Sequence, residues 1–548
     1  MSTPAPDSFS PEEQALLSRY FTNLDGPVFA LINLPEVVKG ALFARYSRSP
    51  KSLRRLFLDE FVEELDVSGD TTLDATVGLK RAEQLYARVF SEYGDDSVAQ
   101  LGGVHLACEQ SSNVLTKILE RGRLMSYLEQ STRYIPYDVR LDSGHYRYVR
   151  EPAILDSPFG ARYVGEMDRM FDTYGELLPK LQSYLRQSSP APAGVSAVAH
   201  RQAVRAASLD ALRGLLPAGS LSNVGIYGTG QSYEQLLLRM RVHALPEARR
   251  YADLMLEELR KVIPSFLTRV DRAERGGAWS DYLRATEHDT AEVVRGFWPP
   301  QAPQPGARVT LTDFDPGGEE KVLAAICYSR TNLPEAELLR RVRDLSSDDR
   351  RVLMTAYVGE RGNRRHRPGR ALERTDYRFD IVADYGAFRD LQRHRLLSIE
   401  WQPLGTDLGY EVPELVEQAG LQDPFVESLD RSRSLHDGLA KYFPEMCGYA
   451  VALAYNVRFT MQMNAREAMH VLELRSTSQG HPAYRRIVQE MHRLIADEAG
   501  HRAIAGAMSF VEHGDVELGR LEAEQRAESR SVLKAVSAGR SRGRTRSP

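Results

Sequence analysis

The phrase Arg-x-Arg-Leu-x-Ser occurs twice in this chain, from Arg121 in "RGRLMSYLEQSTRYIPYD" and from Arg393 in "RHRLLSIEWQPLGTD", 272 residues apart. Three other landmarks recur in the same order. "LFARYSR" ends at Arg48 and "LAAICYSR" at Arg330; "LLLRM" holds Arg239 and "LELRS" Arg475; Arg249-Arg250 is echoed by Arg485-Arg486. The separation shrinks from 282 to 236 residues along the chain, as expected for one domain type used twice with more inserted residues in the first copy. The stretch "RYIPYDVRLDSGHYRYVREPAILDSPFG" is the candidate insertion. The four prolines of "FWPPQAPQPGARV" (297–309) exclude a helix or central strand there and mark the break. The expected organisation is a first domain over 1–297, a Pro-rich linker over 298–308, a second domain over 309–535, and a disordered basic tail over 536–548.

The repeated unit reads as α+β, with helices packed on a small, mainly antiparallel sheet. "ARVTLTDFD" and "RTDYRFDIVADY" alternate as strands do, and "EARRYADLMLEELRKVIPSFL" carries apolar residues at helical spacing up to a proline. "NAREAMHVLELR" opens with Asn464 at an N-cap and Glu467 three residues later, a capping-box pattern.

Composition narrows the function classes. The 548 residues suit two domains, and a net charge of −4 gives no global attraction for nucleic acid. No apolar run approaches the ~18–20 residues that span a bilayer. The mean hydropathy of −0.40, three scattered cysteines and an N-terminus without a signal layout predict a soluble cytoplasmic protein. No P-loop, dinucleotide fingerprint or metal-ligand spacing is present, so no metal is expected.

Three arginine-rich places remain. Arg121 and Arg123 have no acid between them, and in an extended segment Glu129, Ser131 and Arg133 would line one side, alternating with Gln130 and Thr132. An acceptor, a hydroxyl and a guanidinium in a row suit a nucleotide, or else a solvated loop with a local Glu–Arg pair. Arg213 and Arg239 sit among leucines and need an anion, either a ligand or an acid such as Asp210 or Glu234. In the second copy Arg393, His394 and Arg395 form a cationic triplet. Asn464, Arg466 and His470 open a helix whose N-terminus suits an anion, unless His470 is simply a core histidine.

Together these residues resemble the flavin-dependent thymidylate synthases, whose signature is R-H-R-x-x-S-x-x-E-x-S-x-R-Y. Arg121 to Tyr134 matches it except at Gly122, and "YGDDSVAQLG", "RGLLP" and "MNAREAMHVLELR" resemble further family segments. The resemblance implies dUMP binding by Glu129, Gln130, Ser131, Thr132, Arg133, Arg213 and Arg239. It implies FAD binding by Arg121, Arg123, Arg393, His394, Arg395, Asn464, Arg466 and His470. It also implies NADPH and methylenetetrahydrofolate as co-substrates, with Arg239 or Arg475 activating the uracil. The second copy has Trp401, Pro403 and Gly405 where the substrate row would be; the first has Gly228 and Gly230 about where Asn-x-Arg would be. Each half thus keeps what the other has lost, and two chains would imitate the family's homotetramer. The family's flavin-proximal histidine is replaced by Leu101 or Gly102 in one half and Arg374 in the other. The competing expectations are a non-catalytic nucleotide- or flavin-binding paralogue and a methylation of another pyrimidine nucleotide.

Overall fold

The computed structural model describes residues 7–34, 36–62, 100, 102–299, 301, 306–514, 521 and 525. Leu101, most of "YGDDSVAQLG", five positions of the linker and the basic tail lie outside the described residues.

The chain forms two units that do not coincide with its sequence halves. The first comprises Met1–Gly175, Leu215–Pro303 and Glu427–Ala452; the second comprises Glu176–Gly214, Gln304–Val426 and Leu453–Pro548. Each unit therefore incorporates a segment from the other half of the sequence. One consequence bears on function: Arg213, a first-half residue, belongs to the second unit.

Each unit is built on a four-stranded antiparallel sheet, and the two sheets share one topology. Strands β1 (Val28–Leu31), β2 (Gly103–Ser112), β3 (Met125–Glu129) and β4 (Leu221–Thr229) run in the order β1-β2-β4-β3. Strands β5 (Val309–Phe314), β6 (Asp376–Asp384), β7 (Ser398–Trp401) and β8 (Asn456–Asn464) run β5-β6-β8-β7. The register repeats as well. Ser126 of the first phrase pairs with Tyr227, and Ser398 of the second pairs with Gln462. The repeated phrase is thus the lead-in to an equivalent edge strand in each unit, and the α+β tandem reading holds.

Alternation drives the strands. On β8, Val457, Phe459, Met461 and Met463 are buried while Arg458, Thr460 and Gln462 are more open. In the second unit the helix Pro482–Asp497 covers β5 and β6 with Tyr484, Ile487, Val488, Met491 and Ile495, each worth roughly 1.5–3 kcal/mol when fully buried. In the first unit the helix Pro246–Arg260 starts with proline at its first turn and buries Tyr251, Met255, Leu256 and Leu259 at helical spacing. Among the described residues no helix is long and apolar enough to cross a membrane.

Candidate active site

The first phrase does not stay extended as its spacing predicts. β3 ends at Glu129, and the chain then turns, with Tyr134 and Ile135 both donating backbone hydrogen bonds to the Ser131 carbonyl (3.2 Å each). Glu129, Ser131 and Arg133 consequently do not form a strand row. Glu129 is buried and faces Lys117 (3.3 Å), which also holds Glu120 at 2.6 Å. Gln130 is buried too, donating to the Ser49 carbonyl (2.7 Å) and accepting from Arg147 (3.1 Å). Thr132 is buried, whereas Ser131 and Arg133 are half-buried. The segment is a rigid turn on buried polar supports, from which Ser131 and Arg133 reach the surface.

Gly122, the departure from the signature, has a local cause. The Tyr127 hydroxyl accepts from the Gly122 N–H (2.9 Å) and donates to its carbonyl (3.2 Å), and a Cβ at Gly122 would lie 2.6 Å from that oxygen. A tyrosine one strand position beyond Ser126 thus takes the space a larger residue would need. Near Arg121 and Tyr127 lies Arg239, on the helix Gly230–Val242. Partial burial, and then the Arg121 cation, lower its pKa, and it has no acidic partner among the described residues. Arg121 and Arg123 are exposed.

In the second unit the equivalent elements assemble a denser cluster. Asn464 caps the helix Ala465–Arg475 by accepting from the Glu467 N–H (2.9 Å). Glu467 does not complete the capping box; its carboxylate lies 3.7 Å from His394 Nδ1. His394 Nε2 accepts from Arg475 Nε (2.9 Å), and His470 Nδ1 accepts from Arg367 (2.8 Å). Arg466 donates to the Pro368 carbonyl (3.1 Å) and to Glu373 (3.2 Å). Burial raises the Glu467 pKa to about 7, and burial with Arg367 and Arg364 lowers that of His470 to about 4. Burial also holds His394 well below the usual histidine value, with Arg475 adding to the effect. Both imidazoles are therefore neutral near pH 7.

The ligand atoms of His394, Glu467 and His470 lie within 4.8 Å of one another, a grouping invisible in the sequence. Yet a guanidinium donates to one ring nitrogen of each histidine, so the proton of each neutral ring sits on its other nitrogen. The two rings present N–H groups amid cations, the His394 Nδ1–H toward Glu467, and N–H groups suit an anion rather than a metal ion. Those N–H groups and the guanidinia around them fit the phosphates of a dinucleotide such as FAD.

Arg213 is also in the second unit. Its partner is neither Asp210 nor Glu234 but Asp390, at 3.1 Å, while Glu234 is engaged by Arg269 at 2.7 Å. Arg213 is 4% exposed, and its Nε and Nη2 lack hydrogen-bond partners among the described residues. It lines a cavity of about 740 Å³ with Arg308, Asp384, Asn456, His481 and Arg485. Asp384 caps the helix Tyr385–Leu391, and burial pushes its carboxyl pKa up while Arg213 opposes that. A buried cation with two unused donors, beside a cavity, can take an anionic group.

The sheet topology and the phrase before each edge strand recur in both units, and one family model recurs along the chain with them. The thymidylate synthase complementing protein model matches residues 42–265 and again 310–499. The chain belongs to this family. Relatives match the chain along nearly their whole length. A UPF0159 protein of Chlamydia muridarum is 39% identical over 522 residues, covering 94% of this chain and 98% of the relative. One from Thermoplasma acidophilum is 32% identical over 519 residues, covering 89% and 98%. A flavin-dependent thymidylate synthase of a Mycobacterium species is 30% identical over 182 residues, covering 33% of this chain and 67% of that protein. Among the features that sequence reasoning missed are Tyr127 over Gly122, Lys117 under Glu129, and Arg367 on His470. Each depends on a contact that no local spacing reports.

Proposed function

We propose that this chain is a flavin-dependent thymidylate synthase, converting dUMP to dTMP with methylenetetrahydrofolate, NADPH and FAD, its halves supplying complementary ligand sets to the active sites. The observation that carries the reading is the cation cluster at the capped Ala465–Arg475 helix, set against Arg239 beside the first phrase, which has no acidic partner among the described residues. Arg393, His394, Arg395, Asn464, Arg466 and His470 hold the FAD phosphates, with Arg121 and Arg123 contributing from the first copy. Ser131, Arg133 and Arg239 serve dUMP, on a turn supported by Glu129, Gln130 and Thr132. Arg213 offers its unused donors to a phosphate.

The balance of the reaction is simple. The folate's methylene carbon forms a bond to C5 of dUMP, the C5 proton leaves, and a hydride completes the methyl group. NADPH is oxidised to NADP+, and the folate departs as tetrahydrofolate. Bound flavin supplies that hydride. The chain's own contribution is electrostatic: Arg239, with no acidic partner among the described residues, stabilises negative charge as it develops on the uracil. Arg475 is less suited, because it donates to His394 and lies 4.0 Å from Asp390. A cysteine nucleophile is not used in this scheme. Burial raises the pKa of both Cys108 and Cys447, the opposite of activation.

Purified protein given dUMP, methylenetetrahydrofolate, NADPH and FAD should form dTMP, and Arg239→Ala should lower that rate by at least about 10²-fold, as loss of an oxyanion-stabilising donor does. Flavin and dUMP binding without any dTMP would favour the non-catalytic paralogue instead.

A further inference from the structure

Residues 361–370, "RGNRRHRPGR", carry five arginines and no acid in a chain whose net charge is −4. The loop is held in place rather than loosely tethered. Arg361 makes two 2.6 Å contacts to Glu473, with both side chains 3% or less exposed, and donates to the His366 carbonyl at 2.7 Å. Arg466 grips the loop from the other side through the Pro368 carbonyl.

With the loop anchored, its cations take distinct roles. Arg361 is consumed by Glu473, Arg370 by Glu373 (2.9 Å), and Arg367 donates to His470. Arg364 and Arg365 are left with no acidic partner among the described residues, Arg364 lying close enough to His470 to depress its pKa. The two arginines are consecutive on a loop that Arg367 and Arg466 tie to the dinucleotide cluster, beyond the residues assigned to FAD. They match a phosphate monoester, a dianion with three acceptor oxygens that forked donors bind bidentately.

We propose that Arg364 and Arg365 form a docking site for a phosphomonoester on a second nucleotide ligand, one separate from the flavin. Resting on the functional reading above, that ligand is the reducing dinucleotide and the group is its ribose 2′-phosphate, the feature by which an arginine distinguishes the phosphorylated nicotinamide cofactor. The two arginines are then specificity-determining residues. They select the reductant without touching the reacting atoms.

The test compares adenosine 2′,5′-bisphosphate with adenosine 5′-diphosphate, probes of similar charge, on full-length flavin-loaded protein by calorimetry. Wild type should bind the 2′,5′ compound about tenfold more tightly, and Arg364→Ala/Arg365→Ala should erase that preference while keeping its flavin. Equal affinity of wild type for the two probes, or a preference surviving in the double variant, overturns the proposal. Loss of flavin from the variant also overturns it, since the loop would then serve the flavin's own phosphates. Failure to form dTMP with the preference intact would remove the thymidylate reading and leave the phosphomonoester site standing.

Discussion

Alanine in place of Arg466 is expected to weaken FAD binding by about 10- to 100-fold while leaving dUMP affinity within about twofold, and Arg133→Ala is expected to do the reverse. The magnitude is that of one charge-assisted hydrogen bond to a phosphate, about 1.5–3 kcal/mol. Arg466 occupies the first turn of the helix capped by Asn464, where its charge adds to the positive end of the helix dipole. Arg133 stands on the turn after β3, half-buried above the Glu129–Lys117 pair. Flavin fluorescence quenching and calorimetric titration with dUMP measure the two constants separately. If both substitutions damaged FAD binding alone, the division of labour between the halves would be wrong.

The largest effect on stability is expected from Arg361→Ala, about 3–5 kcal/mol, read from urea denaturation at neutral pH. Removing Arg361 would leave the Glu473 carboxylate, 2% exposed, without its two guanidinium donors. It would also free the carbonyls of His366 and Ala507, both of which Arg361 binds. Most of that cost is the penalty of one uncompensated buried charge, so Arg361→Met/Glu473→Leu should recover a large part of it. A cost below about 1 kcal/mol for Arg361→Ala would mean that the pair is not what anchors the 361–370 loop.

Much of this architecture could be read from residue order because it depends on local pattern. The duplication announces itself through phrases that precede equivalent edge strands, and Ser126 and Ser398 fall at equivalent places in the two registers. β5 and β6 follow from alternation, and the Asn464 cap follows from the chemistry of an amide side chain accepting from Glu467. What escaped is what distant residues decide. Arg213 has Asp210 nearby in sequence but pairs with Asp390, 177 positions away. Residues 176–214 and 427–452 pack with the unit that the other half of the sequence dominates, a choice made by long-range packing rather than by any signal at a boundary. The Glu129–Ser131–Arg133 row fails because backbone turn bonds to Ser131 and the buried Lys117 outweigh a weak alternation of polar residues. Glu467 abandons its capping box because His394 brings a polar partner to the same place.

The central claim is that one chain holds both a flavin and dUMP, with residues divided between its halves, and the most direct measurement is the absorbance spectrum of FAD-loaded protein during titration with dUMP. The account predicts oxidised-flavin bands near ~375 and ~450 nm that shift in position or intensity until dUMP saturates. A protein that cannot be loaded with FAD, or one whose flavin spectrum is untouched by saturating dUMP, would contradict it.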